Sequence, residues 1–471
     1  MRRTILTQHS FADLELRSQG VVLDPILQGI SDLLDQHGGA LVERVRQDLV
    51  RGLKKPDTGR QGMNAEQVLR TFVLKGVKNW DFRELRERTA DGYTLRTFTT
   101  FFAQRVPRHD AFNRAFNKLT PSTVRAVNDA VVRAAVVKGV EQGKKLRVDT
   151  TVVEADVHFP TDSTLMWDCV RVISRLVRRL QRKLPFHTHF PNRTRRARRR
   201  MQEIQRMTPT QRRDRHIPKY RDLIKVSERV VHAARDVSAK SKMAGAGPID
   251  AVIIEGLVQL TEHYCQLADR VIDQARRRVL QGEQVPNEAK IFSIFETHTD
   301  IIKRGKARKP VEFGHKVFLA ESGVGLITDY RVLDGNPPDE GHVTPSLKRH
   351  KKLFGASPEL YAGDRGFYSP ANIKACHNAG VARECVPQRG GRKTPERQAY
   401  EKSPAFRKGQ RFRAGVEGRI SVLFRGRGMK RCPLEGPERF EVFVGAAVLA
   451  NNLMVIAEQL TRRFQRRRRA A

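Results

Sequence analysis

Cysteine is scarce and scattered: Cys169, Cys265, Cys376, Cys385 and Cys432 form no C-x-x-C pair. That pattern excludes a zinc ribbon and gives no disulfide framework, so reduced thiols are expected. Long apolar runs are also wanting. None approaches the roughly 20 residues that span a bilayer, and Met1-Arg2-Arg3 leads into no signal-peptide core, so a soluble, cytoplasmic protein without a membrane partner is expected. Acid is the third shortage: 51 Asp+Glu stand against 89 Lys+Arg, a formal net charge of +38 over 471 residues. Such an excess favours a polyanion through counterion release; double-stranded DNA is the first candidate and an anionic membrane surface the competitor. The length allows two or three domains with a sizeable core.

What is present begins with short helices. After a loose apolar arm and a Gly- and Lys-rich linker at Arg51 to Met63, Asn64 can cap a helix with Gln67 reaching back. Asp81 with Glu84 starts a second helix, Gly92 breaks it, and another short helix begins after Asp110. Thr120-Pro121 opens a helix expected to run to about Glu141. The series fits either a helix-turn-helix that reads DNA, with Arg96 as a contact, or a helical cluster with no DNA role.

From Leu146 to Glu154 a β-branched run holds one carboxylate, Asp149. Asp disfavours strands, so it is either a solvent-facing strand end or a ligand for a divalent cation. Helical sequence then intervenes over about 160–290, with helices near Leu165–Leu180, Ile217–Ala239 and Ile249–Leu280, and a basic stretch in which Arg195, Arg196, Arg198 and Arg199 suit phosphate. Strands resume as a hairpin, Val311–Leu319 and Gly325–Val332. A helix at His342–Leu353 precedes a short strand ending at Asp364, and strand carboxyl ends are where ligands collect in open α/β sheets. Helix 370–379 and strand 381–387 follow; Gly390 to Arg407 is polar and loop-like. Arg413 and Glu417 share one helical face, which by itself fits a surface ion pair as well as a catalytic role. An apolar helix, Val442–Leu460, and a frayed basic tail, Arg466–Arg469, end the chain.

The runs Arg147-Val148-Asp149-Thr150-Thr151-Val152-Val153-Glu154, Gly314-His315-Lys316-Val317, Gly325-Leu326-Ile327-Thr328-Asp329 with Asp334-Gly335-Asn336-Pro337, Gly363-Asp364-Arg365-Gly366-Phe367-Tyr368-Ser369, and Arg413-Ala414-Gly415-Val416-Glu417-Gly418 occur in a telling order. Together they resemble bacterial insertion-sequence transposases of the DDE class, ISNCY type, over about Asn64 to Leu460. The resemblance implies an α/β fold: an RNase H-like core, a mixed sheet flanked by helices, at 143–435, interrupted by the helical insertion. An all-α DNA-binding region (1–142) precedes it and a C-terminal helix with basic tail (436–471) follows. It implies Asp149 on the first strand, Asp364 after the fourth and Glu417 on the helix after the last, together ligating two Mg²⁺ ions, for which Mn²⁺ can substitute. The implied activity is cleavage at transposon ends and strand transfer into target DNA by a nucleoid-associated homo-oligomer, with Arg413 orienting Glu417 or a phosphate and Arg365 near DNA. Lys316 and His315 are DNA contacts or plain strand-face residues, and Asp329, Asp334, Glu154 and Asp156 are the alternative carboxylates. Relatives often carry Tyr three residues before the motif arginine and a basic residue seven after the glutamate; here those positions hold Gln410 and Phe424, with Arg425 one step later. The rivals are a nuclease or resolvase on the same fold and a DNA-binding protein without catalysis.

Overall fold

Capping sets the first helices, as the sequence leads one to expect. In the computed structural model, which describes residues 15, 18–55, 62–242, 247–303 and 311–470, Asn64 and Gln67 form a reciprocal capping box at the start of one helix. Asp81 accepts from the amides of Arg83 and Glu84 at the start of the next. In order these are α1 (Pro25–Val50), α2 (Ala65–Lys78), α3 (Phe82–Asp91), α4 (Tyr93–Phe98), α5 (His109–Phe116) and α6 (Pro121–Val137). The latter part of the expected linker, 56–61, lies outside the described residues.

Then come β1 (Lys145–Ala155), the helices α7 (Asp162–Gln181), α8 (Thr194–Gln205), α9 (Pro209–Ser241) and α10 (Pro248–Ala275), and the strands β2 (Asp300–Lys303), β3 (Val311–Ser322) and β4 (Ile327–Val332). The remainder is α11 (Val343–Phe354), β5 (Leu360–Ala362), α12 (Pro370–Asn378), β6 (Arg383–Cys385), α13 (Pro395–Lys402), α14 (Pro404–Gly426), β7 (Arg431–Cys432) and α15 (Pro437–Ala470).

The chain divides into two units, 155–314 and the rest. In the smaller unit α7 to α10 bury one apolar core, including Ile173, Leu223, Val230 and Val271, and β2 pairs antiparallel with the first residues of β3. In the larger unit the sheet runs β3-β1-β5-β6, with β4 on β3 and β7 on β1. β5 pairs parallel with β1 and β6, whereas β4 is antiparallel to β3, so the sheet is mixed.

Strand alternation decides which helix covers which face. Leu146, Val148 and Tyr361 pack with Val343 and Leu347 of α11 and Cys376 of α12. The residues between them point the other way: Leu360, Ala362 and Cys385 pack with Phe406 of α14. Two glycines would ordinarily weaken α14 by about 1 kcal/mol each, but they let it approach closely. A Cβ on Gly409 would collide with Cys385 Sγ, and one on Gly415 with the Arg147 guanidinium. Gly409→Ala is therefore expected to destabilise the protein by about 1–3 kcal/mol, although alanine is the better helix former. A thermal melt matching or exceeding the parent's would show that α14 has room there.

Several expectations need correction. Residues 390–394 are loop as expected, but most of 395–407 is helix: Thr394-Pro395 and Ser403-Pro404 start α13 and α14, each hydroxyl accepting the amide three residues on. α9 starts at Pro209 and runs through Pro218, and β2 was not foreseen. The C-terminal helix is not an appendage: Val442, Leu449, Leu453 and Ile456 share a core with α1, α2 and α6, and the basic tail stays helical to Ala470. α15 is also long and apolar enough to cross a bilayer, contrary to expectation, but 72% of its apolar window is buried inside the protein. A core helix of this kind is apolar because neighbouring helices, rather than lipid, surround it.

Candidate functional site

Parallel register brings the two aspartates together. Arg147 of β1 lies opposite Ala362 of β5; Asp149 stands two residues further on, in the middle of β1, and Asp364 two residues further on, just past the carboxyl end of β5. Neighbouring strands are about 4.8 Å apart, and an even offset keeps both on the face covered by α14. Arg413, projecting from that helix, completes the cluster. Its Nη2 lies 3.0 Å from Asp149 Oδ2 and 3.7 Å from Asp364 Oδ2, and its Nη1 lies 3.4 Å from Glu417 Oε1. One guanidinium thus touches all three carboxylates picked out from sequence, while its Nε is buried without an acceptor.

The three differ in setting. Asp149 is 9% exposed and accepts from the Thr150 amide. Burial pushes its carboxyl up to about 6; Arg413 and the Thr150 amide oppose the rise, and Asp364 and Asp339 add to it. The Asp364 carboxylate is 40% exposed, accepts from the Gly366 amide and caps a short 3₁₀ turn, whereas that of Glu417 is 72% exposed.

A fourth carboxylate, Asp339, was not foreseen, since it lies outside every motif run in the sequence. It accepts from Thr150 Oγ1 at 3.0 Å and pairs with Lys316 at 2.8 Å. An added Cβ on Gly366 would sit 2.8 Å from Asp339 Oδ2 and 3.0 Å from Asp364 Oδ1, so these two carboxylates flank one glycine. No signal in the sequence marked it, because its nearness to Gly366 is set by the fold.

Other predicted residues have different surroundings. Lys316 is held by Asp339 and the Pro337 carbonyl, and His315 is buried edge-on to Phe440. Arg96 donates to the carbonyls of Ala90, Phe102 and Gln104, which makes it a local staple. Arg365 is exposed beside the site, whereas Arg195, Arg196, Arg198 and Arg199 all lie on α8 in the smaller unit. Of these Arg196 is tied to Asp222 and Arg199 is 3.8 Å from Glu203; Arg195 and Arg198 are exposed. Asp329 pairs with Arg125 and Arg331, Asp334 is an exposed turn residue, the Glu154 amide bonds Lys430 at the β7 edge, and Asp156 is exposed in the smaller unit. Gln410 donates to the carbonyls of Gly363 and Cys385, tying α14 to β5 and β6.

The donor set suits a hard divalent cation: four carboxylates against Arg413 and Lys316 leave a formal charge of −2 in a strongly basic chain. The arrangement is nonetheless that of a guanidinium-held cluster. Among the described residues no three acidic, His or Cys side chains are disposed to hold a metal ion, so binding one requires Arg413 to give way.

No family model, curated protein or solved structure matches this chain.

Proposed function

We propose that the chain is a DNA transposase of the DDE class with an RNase H-like core, which cuts phosphodiester bonds at transposon ends and joins the 3′ ends to target DNA. One observation carries the reading: Arg413 bridges Asp149 in β1, Asp364 just past the end of the parallel strand β5, and Glu417. Hard oxygen ligands so clustered are what phosphoryl transfer between DNA strands requires. Two Mg²⁺ ions held by Asp149, Asp364 and Glu417, or Mn²⁺ in their place, would activate the attacking oxygen and stabilise the leaving one. The residues themselves do the rest. Asp149 must lose the proton that its burial favours, and Arg413, once displaced from Asp149, has a DNA phosphate as its alternative anion. Joining two ends in one assembly calls for a homo-oligomer, and the substrate places the protein with DNA in the cytoplasm.

A second reading, a DNA-binding protein without catalysis, is favoured by the guanidinium standing among the carboxylates. A strand-transfer assay with Mg²⁺ and duplexes carrying the sequences that flank the reading frame separates the possibilities. The parent is expected to nick and join. Asp364→Asn should lose at least about 10³-fold in both steps. Glu417→Gln and Asp339→Asn decide the third ligand: if only the latter is inactive, Asp339 displaces Glu417. Hydrolysis without joined product would leave a nuclease; binding without cleavage by the parent would leave the second reading.

A further inference from the structure

Every exposed position on α7 is an arginine: Arg171, Arg175, Arg178 and Arg179, continued by Arg182 just past its end. The spacing i, i+4, i+7, i+8, i+11 puts all five on one stripe, about 16 Å long at 1.5 Å per residue. The opposite face is spent on the core of the smaller unit, through Leu165, Val170, Ile173, Leu176, Val177 and Leu180.

Some surface arginines of the smaller unit sit beside acids. On the neighbouring helices Arg196 and Arg200 share Asp222, and Arg235 bridges Glu262 and Asp269. Most of the stripe has no such neighbour. Arg171 pairs with Asp168 at 2.8 Å, but Arg175, Arg178, Arg179 and Arg182 have no acidic partner among the described residues. Four unneutralised guanidiniums within about two turns repel one another and favour an external polyanion with closely spaced charges.

We propose that this stripe is a docking surface for duplex DNA, gripping the phosphate backbone without reading sequence. Duplex DNA carries one charge per about 1.7 Å of axis, and the guanidinium fork matches phosphate oxygens bidentately. An anionic membrane is the poorer occupant: interfacial helices offer lipid an apolar face, and α7's is consumed by the core. The inference rests on the transposase reading only for the choice of polyanion.

Binding of the full-length parent to a non-specific duplex should be followed between 0.05 and 0.3 M salt, without divalent metal. Neutralising four contacts (Arg175→Gln, Arg178→Gln, Arg179→Gln and Arg182→Gln together) should make the slope of log K against log salt shallower by about 3 to 4, and weaken binding on the order of a hundredfold or more at 0.1 M. Each pair alone, Arg175→Gln with Arg179→Gln or Arg178→Gln with Arg182→Gln, should give about half the slope change, which keeps the test independent of one variant's folding. Arg235→Gln, which removes an already neutralised charge, should leave the slope unchanged. An unaltered slope in the quadruple variant overturns the proposal, as does parent binding to anionic phosphatidylserine vesicles but not to DNA. If the stripe variants lose DNA while the parent never cleaves with Mg²⁺, the docking surface stands and the transposase reading falls.

Discussion

Asp149→Asn is expected to make the metal-free protein more stable at neutral pH while abolishing cleavage. Burial is the main reason: it lifts the Asp149 carboxyl to about 6, despite Arg413 at 3.0 Å. The folded protein therefore holds this proton more tightly than the unfolded chain, where an aspartate titrates near 3.8. Between those values the native state carries the extra proton, so stability falls as pH rises from about 4 to 6, by at most about 3 kcal/mol, and the full cost persists above 6. Asparagine keeps the shape, can accept from Thr150, and never pays for ionisation. Denaturant midpoints without divalent metal should favour the variant at pH 7.5 and converge with the parent near pH 4. Adding Mg²⁺ at a hundred times its dissociation constant should stabilise the parent by about 2.7 kcal/mol and the variant much less. A variant clearly less stable than the parent at pH 7.5 would mean that the Asp149–Arg413 pair is structural, and the carboxylate would lose its place in the proposed chemistry.

How much of this was legible depended on the range of the forces involved. Local signals were read well: the Asn64–Gln67 box, the Asp81 cap and Thr120-Pro121 all act within four residues. Thr394-Pro395 and Ser403-Pro404 carry the same message, and were passed over because the surrounding polar composition suggested a loop. Glu384 explains why helix forms there, since Arg397 reaches it and Glu401 together. Such long-range pairs leave no trace in spacing. Asp149, Asp364 and Glu417 could be chosen because each stands in a distinctive motif, but their meeting depends on the β1–β5 register, which only the folded chain sets. Asp339 had no motif of its own, and Arg413 was expected beside Glu417 rather than across all three acids. The α7 stripe was hidden differently: its apolar positions were noticed, while its arginines became meaningful only once exposure and missing partners were known.

Glu321→Gln should have the largest effect on stability of any single change considered, and should damage the site from behind. Glu321 is 0% exposed, at a bulge in β3. Its carboxylate accepts from Arg147 Nε at 2.6 Å and Nη2 at 2.7 Å, and from Arg419 Nε at 3.0 Å. Replacing such a pair wholesale with apolar residues can be neutral, but removing only the anion strands two largely buried guanidiniums, at a cost of about 3–5 kcal/mol. The damage then travels a short path. Arg147 also donates 2.7 Å to the Phe412 carbonyl and lies over the Phe412 ring, so Glu321 fixes the residue immediately before Arg413. Through Arg419 it holds the same helix to Asn451 of α15. With the anion gone, α14 loses both tethers, Arg413 shifts against Asp149 and Asp364, and an ångström of displacement is enough to cost about 10²-fold in rate. Thermal unfolding of Glu321→Gln, with cleavage measured per folded molecule well below its midpoint, reads the two effects separately. A melt within about 0.5 kcal/mol of the parent would show that Arg147 and Arg419 find other partners. A large destabilisation with cleavage intact would show that α14 is seated by Gln410 and its glycines alone, leaving Glu321 a role in stability only.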